Sequence, residues 1–493
     1  MNPIAGLLRF GRRSRSIARV GLALLGLTLI GGCVAVEQFE TKSIVETSGE
    51  GAVGKRFGEL GYAANFLHEE GEGTLVILAF SGGGKRSSAF SYGAMRGLRD
   101  YMIELNGRQR PLLDEVDVIT SVSGGSFTAA YYGLHGDAMF ADYEQAFLKQ
   151  DINSFIYGTY LLPWNWQWMM NSRYGTNDRM QEIYDRLLFK GATYADLIKR
   201  GRPMIWLGAT DISYGVPFTF NQFSFDLLCV DLPSFPVARA VAASNGFPVL
   251  FTPITLTSHA ERCGGVPPLV QEFGRLAEAR PYSREALYYR QISALADPER
   301  TKFVHLMDGG ITDNLALRGA ANILMTLRMV PKQLERRRWQ TTRRILVVSV
   351  DGEAAQKTSR AVDRTVTGLG QILDAVTGGQ IDRYNDETIL VMRQEAENFA
   401  AVLKDVRCKR AKTIDGHACE DVSASFVHLS LKDVRDPALR ERLQSIPTGL
   451  TVSDEDIAQL VATGAAAVQS SPELAAFRDS LRKAPVKSVS ETR

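Results

Sequence analysis

Twice within its first third this chain drives an apolar run through glycine and straight into a helix. Thr74-Leu75-Val76-Ile77-Leu78-Ala79-Phe80 leads into Ser81-Gly82-Gly83-Gly84-Lys85-Arg86, after which Phe90, Ala94, Leu98 and Tyr101 recur at helical spacing. The β-branched run Glu115-Val116-Asp117-Val118-Ile119-Thr120-Ser121-Val122 leads into Ser123-Gly124-Gly125 and then into small, helix-compatible residues. A buried strand turned sharply into a helix is the unit of an α/β protein, and it constrains the fold more than any other feature of the chain.

Both turns carry chemistry. A serine at the apex of a strand–turn–helix is pushed out of the sheet, and small neighbours let the backbone fold tightly beneath it, so Ser123 stands where a nucleophile would. The glycine run presents backbone N–H groups beside a helix N-terminus, which suits an anion, either a nucleotide phosphate or a tetrahedral oxyanion. A phosphate loop needs glycine where Ala79 stands and Ser or Thr where Arg86 stands, so the phosphate reading fails at two positions. A third apolar run, Lys302-Phe303-Val304-His305-Leu306-Met307, delivers Asp308 to Gly309-Gly310 in the same manner. Taken singly, Ser-Gly and Asp-Gly are ordinary turn signals. Together they supply a nucleophile, an oxyanion site and a base.

In this order the motifs resemble those of the patatin-like phospholipase family, a glycine-rich oxyanion loop, a G-x-S-x-G elbow and a D-G-G or D-G-A aspartate. The resemblance extends to Pro203-Met204-Ile205-Trp206-Leu207-Gly208-Ala209-Thr210-Asp211, similar to a family core strand. It extends also to the small-residue helix Ala238-Arg239-Ala240-Val241-Ala242-Ala243-Ser244-Asn245-Gly246-Phe247-Pro248, and Ile345 to Asp351 reads as one more buried strand. It covers roughly residues 71 to 355. The fold it implies is an α/β three-layer sandwich with a mostly parallel central sheet and helices on both faces. Two positions depart from the family pattern: Ser81 replaces the usual acid before the triple glycine, and Ser121 replaces the first glycine of the elbow. Neither change removes a reacting group; both bear on loop geometry.

The resemblance implies a Ser-Asp dyad in which Ser123 attacks an ester carbonyl, Asp308 takes its proton, and the N–H groups of Gly82, Gly83 and Gly84 bind the oxyanion. Arg86 is expected to hold the glycine loop or an anionic substrate. The rival arrangement is a Ser-acid-His triad. Of the six histidines only those after Ser123 with an acid between could serve: His305 and His428 lie inside strands, and His417 lies on a plausible loop but between two cysteines. No His/Cys/Asp/Glu group has metal-ligand spacing, so no metal or cofactor is expected.

The N-terminus speaks to compartment. Arg9, Arg12, Arg13, Arg15 and Arg19, with no acid, precede the apolar stretch Val20 to Ile30 and then Gly31-Gly32-Cys33. Basic region, short apolar region and small residues form a secretory signal too short to span a bilayer comfortably. A cysteine after Ile-Gly-Gly resembles the bacterial lipobox, which makes Cys33 the expected lipidated first residue of the mature chain. Val34 at the next position favours the outer membrane, facing the periplasm. Removing those five arginines turns 57 basic against 55 acidic residues into 52 against 55, a formal charge of −3. A nearly neutral chain points away from nucleic acid and from polybasic adhesion. Cys229, Cys263, Cys408 and Cys419 remain, an even number suited to disulfides in an oxidising compartment. Local pairing closes the shortest loops of the three connectivities.

The expected organisation is a signal peptide at 1–32, a tether and docking segment at 33–70, a catalytic domain at 71–355 and a helical C-terminal extension at 356–493. An aromatic-rich insertion at about 150–175 contains Phe155 to Met170, suited to an acyl-chain lid, an interfacial belt or a helix packed on the core. Val362, Val366, Leu369, Leu373 and Val376 fall at helical spacing, Ser471-Pro472-Glu473 is a good helix start, and Arg336-Arg337-Arg338 with Arg343-Arg344 reads as the solvated face of a helix beginning near Pro331. The function expected is a membrane-anchored lipid acyl hydrolase of phospholipase A or lysophospholipase type, with membrane lipids as substrate and anchor. The alternative is an inactive lipoprotein of the same fold that binds lipid or scaffolds an envelope complex. Retention of both Ser123 and Asp308 favours the enzyme.

Overall fold

Strands apolar along their whole length can sit only where both faces are covered, and that requirement builds the molecule. The computed structural model describes residues 39–57, 73–154, 174–248, 250–330, 334–354 and 369–482, with 369–382 described by backbone alone. Its central sheet comprises Thr74–Phe80 (β1), Val116–Val122 (β2), Met204–Asp211 (β3), Val216–Phe220 (β4), Ile254–Thr257 (β5), Phe303–Asp308 (β6), Arg344–Asp351 (β7) and Ser423–Ser430 (β8). The strand order is β8-β7-β1-β2-β3-β6-β5, with β4 also paired to β3. From β8 to β3 every pairing is parallel, whereas β4 and β6 run antiparallel to β3, and β5 antiparallel to β6. Every residue of β1, β2 and β7 is buried.

The principal helices are Gly84–Asp100 (α1), Gly124–His135 (α2), Val237–Ser244 (α3), Leu317–Met329 (α4), Leu369–Arg410 (α5), Asp454–Ser470 (α6) and Pro472–Leu481 (α7). α1 packs against α2 and α6, while α4 packs against α5, two groups that cover the sheet as its outer layers. Ser471 caps α7 through the Leu474 N–H, as its Ser-Pro-Glu signal predicts.

Beyond residue 355 the described residues are not helical throughout. β8 pairs with β7 along its whole length, from Ser423 opposite Arg344 to Ser430 opposite Asp351, so a boundary near 355 would divide one sheet. The basic run also differs from its expected solvated face. The helix there is short, Arg337–Thr341. Arg338 is buried and ion-paired with Asp117, itself buried in β2, and Arg344 is buried at the start of β7 with Asp421 at 2.7 Å. These arginines are enclosed because fixed carboxylates neutralise them inside the fold.

Residues 39–57 dock on the body. Thr41 Oγ1 donates to the Thr257 carbonyl at 2.7 Å, the Ile44 N–H donates to Cys229, and Arg56 donates to the carbonyls of Asp226 and Cys263. Disulfides join Cys229 to Cys263 and Cys408 to Cys419. The signal segment, Cys33, half of the tether, Val362, Val366 and the aromatic run from Phe155 to Met170 lie outside the described residues.

Candidate active site

Three strand ends converge. Val122 pairs with Gly208 across β2 and β3, and Ala209 pairs with Asp308 across β3 and β6. Ser123, one residue past Val122, is therefore level with Asp308 on the far side of β3. The reversed direction of β6 matters: it descends beside β3 and ends at that level, so its last residue faces the serine.

Ser123 itself occupies φ 49°, ψ −124°, a conformation that costs a non-glycine residue of order 1–3 kcal/mol and persists only where its surroundings impose it. The imposing contacts are visible. The Ser123 N–H donates to Ser244 Oγ at 2.9 Å, and Ser244 Oγ donates in turn to the Gly208 carbonyl at 2.5 Å. A methyl group on Gly124 would lie 2.6 Å from the carbonyl carbon of Gly84, and one on Gly125 would lie 2.7 Å from Phe80 Cβ. The elbow and the glycine loop are thus in van der Waals contact, and only residues without a side chain fit between them.

Ser123 Oγ donates to Asp308 Oδ2 at 2.9 Å and lies 3.1 Å from Asn245 Oδ1. Asp308 Oδ1 accepts the Gly310 N–H at 2.8 Å, and its own backbone is tied to the Gly246 carbonyl at 3.0 Å. Both side chains are buried. Burial pushes the Asp308 carboxyl up to about 6, against the opposing pull of the Gly310 N–H and the Ser123 hydroxyl. A base tuned there ionises just below neutrality and still has affinity for a proton, which an ordinary carboxylate near 3.9 lacks. Among the described residues no histidine hydrogen-bonds Ser123 or Asp308. His305 turns to Thr255 Oγ1 at 3.0 Å and His428 to Ser349 Oγ at 3.2 Å.

The glycine loop divides its donors. The Gly82 N–H donates to the Asn314 carbonyl at 2.8 Å, so it is used within the fold and is not open to a substrate oxygen. The expected set of three therefore contracts to Gly83 and Gly84 at the N-terminus of α1, beside the positive end of α2. Gly83 has φ 131°, a conformation open to glycine, and a methyl on Gly82 would approach Ser123 Cβ to 3.4 Å, which sets the loop directly against the nucleophile.

Arg86 takes the first of its two expected uses. It is buried, and it donates to the carbonyls of Gly352 (2.8 Å) and Ile446 and to Thr448 Oγ1 (3.3 Å). Its guanidinium thus pins the glycine loop to the C-terminal part of the chain and has no side facing a substrate. The two departures from the family pattern also find partners. Ser81 Oγ accepts the Gly352 N–H at 3.0 Å, tying the loop to the end of β7. Ser121 Oγ lies 3.2 Å from Ser126 Oγ, itself 2.9 Å from Ser244 Oγ, so hydroxyls occupy the space beneath the elbow. Ser244, Asn245 and Tyr184, whose hydroxyl accepts from Asn245 Nδ2 at 3.1 Å, were not singled out from sequence, and only the small-residue run ending at Pro248 pointed to that turn.

Comparison with known proteins now has a site to refer to. Residues 78–321 match the family described as patatin-like phospholipase, a span holding the glycine loop, Ser123 and Asp308. Over that stretch the chain is similar to the patatin-like phospholipase family. No curated protein matches it. Among solved structures it is similar to human GIVD cytosolic phospholipase A2, with 14% identity over 85% of this chain and a TM-score of 0.41. It is similar also to that enzyme in complex with methyl gamma-linolenyl fluorophosphonate, with 14% identity over 83% and a TM-score of 0.36. The match spans 65% of the first of those chains and 59% of the second. β7, residues 446–449 and α6 lie beyond the stretch that matches the patatin-like phospholipase family, yet they hold its glycine loop and the helix it starts in place.

Proposed function

We propose that the protein is a lipid acyl hydrolase that cleaves carboxylic esters of phospholipids or lysophospholipids through an acyl-enzyme. The observation that carries this reading is the 2.9 Å hydrogen bond from Ser123 Oγ to a buried Asp308 whose carboxyl burial pushes up to about 6. Ser123 Oγ bonds to the ester carbonyl carbon, its proton passes to Asp308, and the carbonyl electron pair moves onto oxygen, facing the Gly83 and Gly84 N–H groups and the N-terminus of α2. Collapse expels the alcohol, which takes the proton from Asp308. Water then attacks the acyl-enzyme with the same aspartate as base, and Ser123 leaves protonated. Among the described residues no helix is long and apolar enough to cross a membrane. Attachment is assigned to acylation at Cys33, supported by the signal-like segment and the Ile-Gly-Gly-Cys sequence, in the outer membrane facing the periplasm.

Fatty-acid release from phosphatidylcholine and lysophosphatidylcholine vesicles tests the reading. Wild-type protein is expected to release fatty acid, and Ser123→Ala to lose at least a thousandfold in rate while keeping its melting temperature, in keeping with the loss of order 10³ or more when an enzyme nucleophile is removed. Undiminished hydrolysis by Ser123→Ala sinks the assignment. Radiolabelled palmitate in cells, incorporated by the wild type and not by Cys33→Ala, tests the anchor.

A further inference from the structure

Ser123 Oγ carries a single proton and faces two acceptors, Asp308 Oδ2 at 2.9 Å and Asn245 Oδ1 at 3.1 Å. With Asp308 ionised, that proton can satisfy only one of them, and the other contact sets lone pair against lone pair in a buried site. Two arrangements remove the conflict. If Asp308 is protonated, it donates to Ser123 Oγ, Ser123 donates to Asn245 Oδ1, and Asn245 Nδ2 donates to the Tyr184 hydroxyl at 3.1 Å. If Asp308 is ionised, the Asn245 amide turns end for end. Nδ2 then donates to Ser123 Oγ, Ser123 donates to Asp308, and the Tyr184 hydroxyl donates to Asn245 Oδ1. The turn needs no new space, because the two ends of the amide have the same shape. Tyr184 serves either orientation, because a phenol both donates and accepts.

We propose that Asn245 is a catalytic residue, a side-chain amide that turns against the Tyr184 hydroxyl and donates Nδ2–H to Ser123 Oγ whenever Asp308 is the base. The proposal rests on the reading of Ser123 as nucleophile. During attack Ser123 Oγ uses one lone pair to form the C–O bond and gives its proton to Asp308, and the remaining lone pair accepts from Asn245. During deacylation the C–O bond breaks with its electron pair moving to Oγ, which takes a proton back from Asp308. The Asn245 donor holds that developing charge at the one oxygen the glycine N–H groups do not serve. No proton leaves Asn245 in either step. The surrounding structure holds both the amide and the phenol in place. Asn245 ends α3, its backbone N–H bonded to the carbonyls of Val241 and Ala242, and Tyr184 is buried edge-on to Phe127 with ring centroids 4.8 Å apart.

The test is pre-steady-state hydrolysis of p-nitrophenyl butyrate by the full chain, separating the burst (acylation) from the later turnover (deacylation), with Ser123→Ala as the blank. Asn245→Ala is expected to slow both phases on the order of tenfold to a hundredfold, with KM unchanged, as loss of a donor to a reacting oxygen does. Tyr184→Phe is expected to slow turnover severalfold, also at unchanged KM. The double variant is expected to be no slower than Asn245→Ala, because Tyr184 acts through Asn245 alone. Burst and turnover of Asn245→Ala within twofold of wild type, or a double variant whose losses multiply, overturn the proposal. If Asn245→Ala does not fold, Tyr184→Phe decides, an unchanged turnover counting against. Activity surviving in Ser123→Ala is a separate result that removes the nucleophile itself.

Discussion

Asp308 carries the cost of its function. Burial pushes its carboxyl up to about 6 from an ordinary 3.8, so the folded state holds that proton more tightly than the unfolded chain does. A group shifted upward contributes stability that is fully present below its unfolded value and is lost as pH rises through its folded one. By pH 8 a shift of this size removes about 2–3 kcal/mol. Asp308→Asn, isosteric with the protonated acid, is therefore expected to abolish turnover yet raise the melting temperature at pH 8, with the gain vanishing at pH 4. Thermal denaturation at the two pH values checks it. In the wild type the same carboxyl must be ionised to accept a proton, so kcat/KM is expected to rise through an acid limb near 6. A limb near 4 would contradict the tuned base. Which residue holds the nucleophile could be read in sequence from Ser123 between a strand and two glycines. That Gly82 is consumed by Asn314 could not, because the partner carbonyl lies more than two hundred residues away.

At the scale of elements, the glycine loop is only as well placed as the helix it starts. α1 lies against α6 at backbone distance: a methyl on Gly93 would come within 2.8 Å of Val461 Cα, and one on Gly464 within 2.7 Å of the Ala94 nitrogen. Two helices that meet through glycines have no soft side chains to absorb a displacement. Gly93→Val is expected to destabilise the protein by 1–3 kcal/mol or more, as overpacking does, and to lower kcat further than the stability loss alone explains. Urea denaturation together with turnover at saturating substrate tests this, and a stability loss with unchanged kcat would separate the interface from the site. The spacing of Phe90, Ala94 and Leu98 announced α1. Its partner was not legible, since Gly93, Gly97 and Gly464 read in a sequence only as weak points in two helices.

The whole molecule closes the site from its far end. The Lys85 N–H donates to the Gly449 carbonyl at 2.8 Å, and Arg86 reaches Ile446 and Thr448, so the strap between Pro437–Ser445 and α6 lies across the oxyanion loop. A chain ending at Ser445 keeps Ser123, Asp308 and the whole family-matched stretch. It is nevertheless expected to lose labelling of Ser123 by a fluorophosphonate, because the loop that stabilises the tetrahedral adduct loses its support. Full labelling of the shortened chain would show the strap to be dispensable.

Local signals determined the motifs by themselves. Strand, turn and helix within a dozen residues are set by patterns of apolar, β-branched and glycine residues, and a nucleophile elbow is such a pattern. Tertiary structure alone decided that Arg86 serves the loop, that Arg338 and Arg344 are buried, that β8 completes the sheet, and that Asn245 faces Ser123. Each depends on a partner distant in the chain, and a polar or charged side chain takes its role from what neutralises it. Sequence can name such a residue, but only the fold brings its partner within 3 Å.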